Sequence, residues 1–109
     1  MSTESNHNLS RDTYERNLIL EIENNLHQAN WLLEQARQAK QAAKLTQAQL
    51  ELQREKQRLG GEDIWLLINF ENILLQAQNQ EIDAIISYLN SLTNLRRTID
   101  TTLDFWEVN

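Results

Sequence analysis

Helix-breaking residues occur at one place in this chain. It has no proline and two glycines, which are adjacent, Gly60 and Gly61, in "RLGGEDIWLL". Proline costs a helix interior about 3 kcal/mol and glycine about 1 kcal/mol relative to alanine. Two long segments without either residue, separated by a single glycine pair, therefore predict two helices and one reversal. The expected architecture is all-α: a long antiparallel α-helical hairpin or coiled coil, self-associating or set in a larger helical barrel. The spacing predicts helix one over 10–59, a turn over 60–62 and helix two over 63–100, roughly 70 and 60 Å long by the rise of the α-helix. Residues 1–9 are expected to be a disordered tail, and "TTLDFWEVN" reads as an extended C-terminal tail.

Local signals support these limits. Ser10 is a plausible N-cap, with Asp12 in the first turn. Arg54 and Lys56 place positive charge toward the end of helix one, and Gly60 follows as the expected residue beyond it. Glu62 or Asp63 complements the dipole at the start of helix two.

Periodicity predicts how the helices meet. Ile22, Leu26, Ala29, Leu33 and Ala36 step by four and three, and the stripe continues through Ala39 and Ala43 as a coiled-coil seam. On helix two, Leu67, Phe70, Leu74 and Ala77 do the same. At Glu81 the pattern reads as a hitch, resuming with Ile82, Ile85, Leu89, Leu92, Ile99 and Leu103, as after a small insertion in a heptad. A further stripe through Ile68, Leu75, Ile82 and Ile86, with Trp31 and Trp65, predicts a second buried face. Two helices cannot cover it, so self-association or packing into a helical wall is expected.

Charge and composition exclude several classes. The formal net charge of −6 and the absence of a basic stripe disfavour nucleic acid. The polar start "MSTESNHNLSRDTYERN" does not read as a signal peptide. No run of about 18 apolar residues exists to insert in a membrane. On these terms a free-standing chain is expected in the cytoplasm. His7 and His27 form no metal-ligand pair, and there is no cysteine. "LGGED" lacks the lysine and hydroxyl of a phosphate-binding loop. The carboxylates are spread along solvated faces. No enzyme, cofactor or metal site is expected.

The region from about Leu18 to Val108 resembles the outer-membrane efflux proteins, the TolC-like family. Leu59-Gly60, Leu67-Ile68, Glu71, Leu74 and Ala77-Gln78 correspond to that family's glycine turn and return helix. Ala84, Tyr88, Leu92, Leu95 and Arg97 in "EIDAIISYLNSLTNLRR" match a second stretch, and "TTLDFW" is similar to the segment after the last long helix in many members. The chain departs from the pattern at Leu66 and Asn69, where many members are acidic, and at Asp100, where a glycine is usual. It spans about a quarter of a family protein.

The resemblance implies a non-catalytic export conduit of the outer membrane and periplasm, trimeric in the family. The tunnel-tip turn, Gly60 and Gly61, would meet a periplasmic adaptor protein and, through it, an inner-membrane pump. Glu62, Asp63, Trp65 and Asn69 are the candidate adaptor contacts. The chain is then a fragment of such a channel; the alternative is a soluble coiled-coil interaction protein without transport activity.

Overall fold

The computed structural model describes residues 2–60 and 63–108, with side chains over 8–60 and 63–107. It contains two helices, α1 (Ser2–Arg58) and α2 (Ile64–Val108), packed as an antiparallel hairpin, with no strand among the described residues.

Both helices run past their expected ends. α1 begins at Ser2, not near Ser10, so the stretch expected to be a disordered tail is helical over its described part. Nothing in the sequence interrupts propagation there: no glycine or proline precedes Gly60, and each added residue contributes one hydrogen bond once a helix exists. α2 continues to Val108, so the expected extended tail is helical as well. Thr102 is accommodated because its hydroxyl donates to the Thr98 carbonyl at 2.9 Å. Phe105 is held by ring contact with Tyr14 on α1, centroids 4.7 Å apart, and makes an edge contact with Trp106.

The buried and half-buried positions repeat every three and four residues along each helix. On α1 they include Leu18, Ile22, Asn25, Ala29, Leu32, Ala36, Ala39, Ala43, Thr46, Leu50 and Gln53. On α2 they run Leu67, Phe70, Leu74, Ala77, Glu81, Ala84, Tyr88, Ser91, Leu95, Thr98, Thr102 and Phe105. This is a heptad without insertion, the signature of helices that supercoil around one another.

The seam differs from the expectation in two places. On α1, Leu26 is exposed and Asn25 takes the inward position, and Leu32 joins the seam beside the half-buried Leu33. On α2, the pattern passes straight through Glu81, and Ile82, Ile85, Leu89, Leu92, Ile99 and Leu103 all lie outside it, exposed. An uninterrupted 3.5-residue period keeps the same face toward the partner helix. Beyond Glu81 that face carries Ala84, Ser91, Thr98 and Thr102 between Tyr88, Leu95 and Phe105.

The chain divides into two compact units. The unit formed by Leu32–Tyr88 contains the turn. Its core is Ala36, Ala43, Leu50 and Leu74, with Leu50 the most completely enclosed side chain. Arg54 and Glu71 bridge the two helices at 3.5 Å, both about half exposed, so the pair contributes little to stability.

The unit formed by Met1–Trp31 and Leu89–Asn109 has a more polar interior. Leu18 and Ala29 are buried beside Ser91, Thr98 and Thr102. Asn25 Nδ2 donates to Thr98 Oγ1 at 2.7 Å, and the same hydroxyl donates to the Asn94 carbonyl at 3.0 Å. Each polar group is thus satisfied where an unpaired one would cost about 1–3 kcal/mol.

Candidate interaction surface

Two regions of the surface hold the residues that the sequence singles out: the turn and one face of α2. At the turn, the Leu59 amide donates to the Glu55 carbonyl at 3.1 Å and the Gly60 amide to the Gln57 carbonyl at 3.3 Å, closing α1. Gly60 has φ +125°, a conformation that residues with a Cβ rarely adopt. Arg58 donates to both carboxylate oxygens of Glu55, and this contact, opposed by slight desolvation, raises the Arg58 pKa above its ordinary value.

Asp63 opens α2. Its Oδ1 accepts from the Trp65 amide at 2.9 Å, while its carbonyl accepts from Leu66 and Leu67 at 3.1 and 3.3 Å. That is N-cap geometry, in which a side-chain oxygen satisfies an otherwise orphaned amide of the first turn. Asp63 therefore has a structural duty apart from any contact with an adaptor. Trp65 follows with 75% of its surface exposed, and Leu59 on the other side of the turn is 73% exposed. Of the two aromatics flanking the turn, Phe70 joins the seam and Trp65 does not. Asn69 is exposed too. Gly61 and Glu62 lie outside the described residues.

The second region is the outer face of α2. Ile68, Leu75, Ile82, Ile85, Leu89, Leu92, Ile99 and Leu103 are each between 37 and 57% exposed. They step by threes, fours and sevens one position out of phase with the hairpin seam, with Glu71, Gln78 and Arg96 at the intervening positions, so they form a second, largely apolar stripe along the same helix. Sequence reasoning found its first members, Ile68, Leu75 and Ile82, but assigned the rest to the hairpin. The signal that separates the two stripes is continuity: the phase through Leu67, Phe70, Leu74 and Ala77 extends to Phe105 without a break. Ile86, Trp31 and Leu45 are exposed off this stripe.

Among the described residues no group of three His, Cys, Asp or Glu side chains could hold a metal ion. The clefts are polar or open, one of them lined by Glu21, Asn25, Asn94, Arg97, Thr98 and Thr101. Among the described residues no helix is long and apolar enough to cross a membrane. What the surface offers is contact area: an exposed aromatic at the turn and an uncovered apolar stripe on α2. No family model, no curated protein and no solved structure matches the chain.

Proposed function

We propose that this chain is a non-catalytic helical-hairpin assembly module that works by presenting the outer face of α2 to another helix. The observation that carries this reading is the second stripe. Eight large aliphatic side chains on one face of α2 remain at least a third exposed, outside the seam that packs on α1. Exposed apolar side chains repeated along one helix face mark an interaction site, and heptad spacing fits an α-helical partner.

The test replaces Leu75, Leu89 and Leu103 together by Gln. Helicity of the full chain, read by circular dichroism, is expected to persist, while its association with itself or with a helical partner is lost. A collapse of helicity would overturn the reading, because the stripe would then be holding up the hairpin itself.

A second reading takes the hairpin as tunnel helices of a TolC-like efflux channel, trimeric and placed at the outer membrane and periplasm, with the turn docked on an adaptor. The exposure of Leu59 and Trp65 around Gly60 favours it, since aromatics anchor many interfaces. Titration of the chain with a periplasmic adaptor hairpin tests it. Binding that Trp65→Ala weakens is expected, and the absence of binding by the unsubstituted chain would dispose of it.

A further inference from the structure

The geometry points to a second copy of this chain as the occupant of the α2 stripe, docked antiparallel so that α2 pairs with α2 about a twofold axis. The inference rests on the assembly-module reading and names its partner. Two charged residues share the stripe's phase, Glu71 and Arg96, with Gln78 the uncharged polar residue between them. They have opposite signs and stand toward opposite ends of the helix.

One antiparallel register brings Glu71 of each copy against the partner's Arg96. The same register sets Ile82 against the partner's Ile85, Leu75 against the partner's Leu92 and Ile68 against the partner's Ile99. Leu89 then faces the partner's Gln78, the single apolar–polar mismatch. Both helices of each copy remain available to their own hairpin, so the product is a four-helix bundle with a self-complementary interface.

Parallel pairing fails on the same grounds. It stacks Glu71 on Glu71 and Arg96 on Arg96, placing like charges opposite one another. A polar or charged residue among the contact positions of a coiled coil specifies its register, at a cost in stability. Glu71 also bridges Arg54 within its own chain. Its carboxylate has two oxygens and is about half exposed, so it can serve both cations.

The experiment uses the full chain, whose lack of cysteine lets single thiols be introduced cleanly. Sedimentation equilibrium is expected to find a dimer. Glu71→Arg and Arg96→Glu should each weaken it by on the order of tenfold, through two symmetry-related contacts, and the double reversal should restore it. A mixture of Gln78→Cys and Leu89→Cys chains should cross-link between the two variants with a short bis-maleimide, and Gln78→Cys alone should not. A helical monomer would overturn the self-pairing while leaving a different helical partner open to the module. A trimer, or cross-linking of Gln78→Cys to itself, would overturn the antiparallel register. An unfolded chain by circular dichroism would overturn this inference and the module reading together.

Discussion

Asp63 shows how much of the turn depends on one side chain. Its oxygen caps the first turn of α2 while Gly60, three residues earlier, takes the positive φ that reverses the chain. Asp63→Ala should destabilise the chain by about 1 kcal/mol, the ordinary cost of a lost N-cap. Asp63→Asn keeps an accepting oxygen and should cost much less. Chemical denaturation of the two variants measures both, and equal losses would mean that the charge, not the cap, is what matters. Gln57 gives the opposite prediction. Its Oε1 is buried without a hydrogen-bond partner where α1 ends, and such a group costs about 1–3 kcal/mol. Gln57→Leu should therefore raise stability by about 1 kcal/mol, seen as a higher denaturation midpoint at unchanged slope.

α2 carries two stripes in adjacent phases, and it uses them differently. Beyond Ala77 the seam stripe mixes small residues, Ala84, Ser91, Thr98 and Thr102, with Tyr88, Leu95 and Phe105. The outer stripe is Ile and Leu. Helical propensity at the end of α2 is modest, since Thr and Phe are weaker helix formers than Leu or Ala. Contact with α1 supplies what propensity lacks: Phe105 packs on Tyr14, and aromatic pairs contribute about 0.5–1.5 kcal/mol beyond their buried area. Phe105→Ala should fray the last turns of α2. Hydrogen exchange at the amides from 101 to 108 is expected to speed up, with the amides around Leu74 unchanged. Uniform acceleration along α2 would mean that the hairpin melts as one body.

For the whole molecule, the balance between hairpin and assembly decides behaviour in solution. Where the α1 seam is mostly alanine, at Ala29, Ala36, Ala39 and Ala43, each layer gains little, because alanine exposes little apolar area to begin with. Pairing of the outer stripe would add to that stability by mass action. The midpoint of thermal unfolding is then expected to rise with chain concentration. A midpoint independent of concentration would describe a hairpin stable alone and would sink the self-association reading. High salt should weaken the proposed dimer only modestly, since two ion pairs would set its register and apolar contact would supply most of its strength.

Much of this was legible in the sequence. One glycine pair in a chain without proline determines two helices and where they part, because breaking a helix needs a residue that cannot continue it. The first heptads of α2, from Leu67 to Ala77, follow from spacing alone. The ends of the helices did not, since Thr102 and Phe105 gain partners at Thr98 and Tyr14 that local propensity cannot register. The seam beyond Ala77 was also hidden. Two heptads one residue apart fit the letters there, and the one with the larger aliphatics, Ile82 through Leu103, is the stronger in isolation. Only the tertiary structure chose the other. Packing keeps each helix in the phase already established nearer the turn, so Ala84, Ser91, Thr98 and Thr102 face inward together with Tyr88, Leu95 and Phe105. The Ile and Leu side chains from Ile82 through Leu103 are left outside, where another helix can reach them.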